Sequence, residues 1–71
     1  MKLTKQQLKE ELNNGFTLEL SDELNIFEIS FSKIRGKFIL WKNGSLIKST
    51  ESFTNMLMRL NLNELELTDK F

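Results

Sequence analysis

The side chains that could do chemistry in this chain are carboxylates, hydroxyls and amines, because the sequence contains no histidine and no cysteine. Histidine is the usual general base at neutral pH, and imidazole and thiolate are the main zinc ligands. Acidic residues stand in pairs at positions 10–11, 22–23 and 64/66. A carboxylate pair can hydrolyse a glycosidic bond only where a cleft raises the pKa of one member. This chain is too short to build such a cleft, so we expect no enzyme activity, no metal site and no cofactor.

Charge is balanced overall but unevenly distributed along the chain. There are ten basic and ten acidic residues; six acids and no base lie between positions 10 and 32, and five bases and no acid between 33 and 48. Basic residues are interleaved with the aromatic residues Phe38 and Trp41 in segment 33–42, as in stacking platforms for nucleic acids. This basic hairpin, 33–48, therefore predicts a possible contact with a charged partner.

Length and composition predict a single small domain over residues 1–71. A chain of this size is near the lower limit for one hydrophobic core, so its free energy of unfolding is expected to be roughly 3–5 kcal/mol at most. The first residues contain no apolar run long enough for a signal peptide or a membrane span. We expect a cytoplasmic protein without a membrane partner.

The positions of two helices follow from capping and spacing. Thr4 and Gln7 have the spacing of a capping box, and the glycine of segment 13–15 can end a helix in the left-handed conformation, which predicts a helix over residues 5–14. A second helix is predicted after the hydroxyl-rich segment 49–52, because four apolar residues follow at helical spacing. These residues are Phe53, Met56, Leu57 and Leu60.

Between the helices the apolar pattern changes to a period of two, which is typical of strands buried on one face. Segments 16–21 and 27–32 show this alternation, a tight turn at Arg35-Gly36 leads into the apolar run 37–42, and Asn43-Gly44 predicts a two-residue hairpin turn into a fourth strand. The pairs expected across the turn are Lys42 with Ser45, Trp41 with Leu46, Leu40 with Ile47, and Ile39 with Lys48. Residues 65–68 fit either a short strand or a further helical turn, and we favour the strand.

The predicted fold is α+β, with an antiparallel β-meander of three to four strands flanked by an N-terminal and a C-terminal helix in the order α-β-β-β-β-α. If both helices pack on one face, side-chain alternation sends three apolar residues and a basic fringe to the other face. These candidate partner-binding residues are Ile39, Trp41, Leu46, Lys37, Lys42 and Lys48. If the helices cover opposite faces, Trp41 is instead part of the core.

Two families resemble this pattern. The order α-β-β-β-α in about 70 residues is similar to double-stranded RNA-binding domains, but Glu51 lies where that family has basic residues. The spacing of segment 16–21, of the later alternating strands and of Ser52-Phe53 resembles small phage-encoded inhibitors of bacterial defence, particularly anti-CRISPR proteins. This second resemblance implies a protein that blocks a host enzyme by binding to it.

Three functions follow as expectations. The first is a non-catalytic phage or mobile-element protein that inhibits a host defence protein by stoichiometric binding through Trp41 and its neighbours. The second is a small nucleic-acid-binding module that uses the basic hairpin 33–48. The third is a structural homodimer.

Overall fold

The computed structural model describes residues 2–71. Its elements in chain order are α1 (Lys5–Asn13), β1 (Leu18–Ser21), β2 (Ile26–Ser32), β3 (Lys37–Lys42), β4 (Ser45–Thr50), α2 (Phe53–Leu57), a 3-10 turn (Leu62–Glu64) and β5 (Glu66–Lys70). The strands form one antiparallel sheet in the spatial order β4-β3-β2-β1-β5. The predicted α+β class with an antiparallel meander and flanking helices is confirmed, with one more strand than expected.

Helix α1 begins at the predicted capping box. Thr4 Oγ1 accepts a hydrogen bond from the Gln7 amide at 3.1 Å, and Gln7 Oε1 accepts one from the Thr4 amide at 3.0 Å. Both hydrogen bonds satisfy backbone donors that have no partner inside the helix. The helix ends at Asn13, and Gly15 has a φ of 93°, which favours glycine. The cap thus fixes where the buried residues of α1 meet the sheet.

One hydrophobic core lies between the two helices and one face of the sheet. Leu8 and Leu12 of α1 and Met56 of α2 are completely buried in it. The strands contribute alternate residues from a single face, which is called the helix face below. Its most buried members are Leu18, Leu20, Phe27, Ile29, Phe38 and Leu40. Both helices therefore cover the same side of the sheet, and the arrangement with helices on opposite sides does not occur.

The hairpin turn at Asn43 and Gly44 forms as predicted, with φ values of 50° and 84°. Asn43 also fastens this turn to the neighbouring strand: its Oδ1 accepts a hydrogen bond from the Ile26 amide at 2.9 Å, and its Nδ2 donates to Asn25 Oδ1 at 3.0 Å. These hydrogen bonds join the β1–β2 turn to the β3–β4 turn at one end of the sheet. They hold the end of the sheet next to Trp41 in place.

The predicted pairs of Lys42 with Ser45 and of Trp41 with Leu46 are confirmed, but the next two predicted pairs are wrong. Leu40 pairs with Lys48, and Ile39 pairs with Ser49, because the ladder shifts by one residue between Leu40 and Trp41. Ile47 is the extra residue of a β-bulge. Such a bulge reverses the side-chain alternation beyond it, so Lys48 lies on the helix face.

The C-terminal part differs from the prediction in the length of the second helix and agrees with it in the strand favoured for residues 65–68. Helix α2 ends at Leu57 and does not reach Leu60, because the next backbone hydrogen bonds run from residue i to residue i−3 and tighten the chain into a turn. The ambiguous segment then forms β5, which pairs with β1 at the far edge of the sheet. Thr17 and Phe71 extend this pairing by exchanging backbone hydrogen bonds of 2.6 and 2.9 Å.

Candidate functional site

The face of the sheet opposite to the helices is called the open face. It carries the alternate residues of each strand, among them Glu19, Ile26, Glu28, Ser30, Lys37, Ile39, Trp41, Leu46 and Ser49. None of these side chains is fully buried, whereas the buried residues of segment 2–71 all belong to the single core of the helix face. Within the described part of the chain, no element covers the open face.

Trp41 lies near the middle of the apolar part of the open face. It is half-buried, since it is flanked by Glu28 on β2 and by Leu46 on β4. Ile26 lies diagonally across from it on β2, within reach of a large aromatic side chain. Leu46 is 60% exposed and Ile26 is 49% exposed. The result is an apolar patch, centred on an aromatic ring and open to solvent.

Four of the six predicted partner-binding residues share this face, namely Ile39, Trp41, Leu46 and Lys37. The other two lie on the helix face. Lys42 pairs with the buried Phe27 and places its Nζ 5.9 Å from the centre of that ring. Lys48 pairs with the buried Leu40 because of the bulge at Ile47. The prediction that Lys42 and Lys48 belong to the basic fringe around Trp41 is therefore wrong.

Acidic residues, which sequence reasoning did not include in the site, replace the lysines as the polar neighbours of Trp41. A straight row of paired residues crosses all five strands of the open face in the order Asp69, Glu19, Glu28, Trp41, Leu46. Three carboxylates on adjacent strands thus lead up to the aromatic ring. Neighbouring strands are about 4.8 Å apart, so the row is roughly 19 Å long.

Glu28 and Ile26 could have been found on this face from the sequence. Phe27, Ile29 and Phe31 alternate, so residues 26, 28 and 30 must lie on the opposite face. None of these three residues was among the candidate partner-binding residues predicted above. To predict that Glu28 lies next to Trp41, the register between β2 and β3 must also be known. That register depends on the turn at 33–36 and cannot be read from the apolar pattern.

The basic residues of hairpin 33–48 do not form one surface. Lys33 and Arg35 lie in the turn between β2 and β3, and Lys37 lies on the open face beside that turn. Lys42 and Lys48 lie on the helix face. A nucleic-acid backbone that followed these basic residues would have to contact both sides of the sheet. Nucleobases stacked on Trp41 would bring phosphates near Glu28.

The described residues contain no group of three or more acidic, histidine or cysteine side chains arranged to hold a metal ion. No helix within residues 2–71 is long and apolar enough to cross a membrane. The sequence matches no protein-family model and no curated protein, and the chain matches no solved structure.

Proposed function

We propose that this chain is a non-catalytic binding protein that holds a partner protein on the open face of its sheet. The observation that supports this most directly is the packing of both helices on one side, which leaves Trp41, Ile39 and Leu46 uncovered on the other. Exposed apolar patches rimmed by polar groups are typical of interaction sites. Tryptophan is also the residue type most enriched among those that dominate binding energy.

In this proposal the partner is a host defence protein, and the chain is a phage or mobile-element product that inhibits it by one-to-one binding. Small size and the absence of histidine and cysteine support a binding role over a catalytic one. The dispersal of the hairpin bases over both sheet faces favours a protein partner over a nucleic acid. A flat sheet face with a central tryptophan and a polar rim has the anatomy of a protein interface.

The test compares variants of the tagged chain for capture of a partner from nuclease-treated bacterial lysate, followed by affinity measurement with the purified partner. Trp41→Ala should weaken binding at least about 30-fold, the value for a loss of 2 kcal/mol. Leu46→Lys should also weaken it, because a charge is placed on the apolar patch. Ile34→Ala is the matched control, since Ile34 is 99% exposed in the turn between β2 and β3.

Several outcomes would contradict the proposal. If Trp41→Ala and Leu46→Lys are folded by circular dichroism and bind the partner as the wild type does, the open face is not the binding surface. If capture disappears after nuclease treatment, the nucleic-acid function of hairpin 33–48 replaces it. If only further copies of the chain are recovered, and wild type is a dimer that Leu46→Lys dissociates, the face serves self-association.

A further inference from the structure

On the open face an aromatic ring and a carboxylate lie next to each other, and neither has a polar or charged side-chain partner among residues 2–71. The carboxylate of Glu28 makes no hydrogen bond or ion pair with any residue in segment 2–71. The indole N–H of Trp41 also makes none there, and it is not buried. Because Glu28 and Trp41 are directly paired across β2 and β3, their side chains rise from the sheet about 5 Å apart.

Other aromatic rings of the chain already carry a cation. Lysine Nζ atoms lie 4.5 Å from the ring centre of Phe16, 5.8 Å from that of Phe53 and 5.9 Å from that of Phe27. Indole binds a cation more strongly than the phenyl ring does. Yet within the described chain Trp41 is the site of no such contact. The best cation acceptor of the molecule is therefore free, and a carboxylate lies beside it.

The row places like charges opposite each other in the free protein, where the Glu19 carboxylate accepts a hydrogen bond of 2.9 Å from the Thr68 hydroxyl. Glu28 lies opposite Glu19, and Glu19 lies opposite Asp69. Like charges directly opposite each other in a sheet are destabilising. Lys37 is the base that β3 places on this face, and it lies four residues from Trp41, or about 13 Å along the strand. At 0.1 M salt this separation exceeds the Debye length of about 10 Å.

Resting on the function proposed above, we infer that the partner is a basic protein segment that seats an arginine between the Trp41 ring and the Glu28 carboxylate. A guanidinium group can stack on an indole and donate two hydrogen bonds to a carboxylate at the same time. Apolar side chains on either side of that arginine would lie on Ile39 and Leu46. Further basic residues would then face Glu19 and Asp69.

The apolar residues and the carboxylates of the row together favour an arginine flanked by apolar side chains. An acidic segment would be repelled by the three carboxylates, and a purely apolar segment would bury Glu28 without a partner, which is costly. A lysine could neutralise Glu28, but its ammonium is a point charge that does not stack as a planar group. An arginine flanked by apolar residues satisfies both halves at once.

The inference can be tested with defined peptides before any natural partner is identified. The probes are an eight-residue peptide of alternating arginine and leucine and its versions with lysine, citrulline or glutamate in place of arginine. Binding is followed by the fluorescence of Trp41, which is the only tryptophan in a chain without tyrosine. We expect saturable binding of the arginine peptide, weaker binding of the lysine peptide, and at least about tenfold weaker binding of the uncharged citrulline peptide.

Two variants assign the effect to the pair. Glu28→Gln should remove most of the difference between the arginine and citrulline peptides, because the guanidinium then lacks its carboxylate. Glu51→Gln is the control, since it removes the same charge from an exposed position between β4 and α2. Binding to Trp41→Ala is measured by calorimetry, and we expect it to be lost.

The outcomes separate this inference from the proposed function. If Trp41→Ala abolishes peptide binding, but binding depends neither on the charge of the peptide nor on Glu28, the open face is a binding surface. The arginine site is then wrong. If no peptide gives a saturable signal up to 1 mM, the arginine site is also wrong, and the proposed function still depends on partner capture. If Trp41→Ala binds the arginine peptide normally and also retains the captured partner, both are wrong.

Discussion

Glu28 on the central strand β2 and Trp41 on the neighbouring strand β3 are paired on the face of the sheet that neither helix covers. On its other side, the same carboxylate lies opposite Glu19. If only stability had been selected, we would expect a basic or neutral residue at position 19 or at position 28. The pair therefore makes sense as part of a surface that is completed by another molecule.

Replacement of Glu28 by glutamine should stabilise the free protein. The substitution keeps the size of the side chain and removes the repulsion from Glu19, so we expect the free energy of unfolding to rise by about 0.5 kcal/mol at low ionic strength. In 1 M salt the difference should become small, because the Debye length falls to about 3 Å. Urea denaturation at both salt concentrations measures this, with Glu51→Gln as the control.

This stabilisation would also strengthen the assignment of a binding role. Glu28→Gln is expected to raise stability and lower the affinity for the arginine peptide, whereas a variant that merely damages the fold lowers both. A decrease in the free energy of unfolding on Glu28→Gln would show that the carboxylate is favourable in the free protein. The row would then need no partner to explain it.

The neighbouring residues Leu40 and Trp41 should respond very differently to truncation. Leu40 is completely buried on the helix face, and removal of such a leucine side chain costs about 2–5 kcal/mol. That loss is comparable to the whole stability expected for a domain of this size, so Leu40→Ala should be largely unfolded at 25 °C. Trp41→Ala, on the open face, should lose about 1–2 kcal/mol and stay folded.

Urea denaturation followed by far-ultraviolet circular dichroism checks this comparison, since it does not depend on the tryptophan signal. Ile39→Ala adds a second open-face position on the same strand and should resemble Trp41→Ala. If Trp41→Ala unfolds the protein as completely as Leu40→Ala does, Trp41 is a core residue in solution. The open face would then not exist as described.

Those parts of the fold that depend on local sequence could be predicted. The capping box at Thr4 and Gln7 and the turn at Asn43 and Gly44 involve residues at most three positions apart, and both form as expected. Alternation placed Ile39 and Trp41 correctly on one face, because a strand has only two faces to choose from. These features could be predicted because each depends only on residues that are close together in the sequence.

Two of the features that were missed depend on distant parts of the chain, whereas Lys42 could have been assigned to the helix face from its position next to Trp41. β5 pairs with β1, about 50 residues away, and a short segment with a weak pattern gives no sign of such a partner. The bulge at Ile47 moved Lys48 from the predicted rim to the helix face, where its stem lies beside Leu40. An apolar pattern does not specify an extra residue in one strand, so a single bulge was enough to misplace one side of the candidate site.

The bulge itself gives a prediction about the edge of the sheet. The pairs Trp41–Leu46 and Leu40–Lys48 are adjacent on β3 but separated by Ile47 on β4, so deletion of Ile47 would leave both pairs in a continuous ladder. We expect the deletion variant to fold with the same open face. Its free energy of unfolding should fall by less than about 2 kcal/mol, because Ile47 is already 38% exposed.

The deletion should nevertheless make the protein associate with itself more readily. β4 is an edge strand, and a bulge twists such an edge away from pairing with another copy. Sedimentation velocity over a range of concentrations measures the association, and nuclear Overhauser contacts between β3 and β4 report the register. Ile47→Ala, which keeps the bulge and removes most of the side chain, is the matched control. If the deletion variant associates no more than Ile47→Ala does, the bulge does not protect this edge, and its role is confined to orienting Lys48.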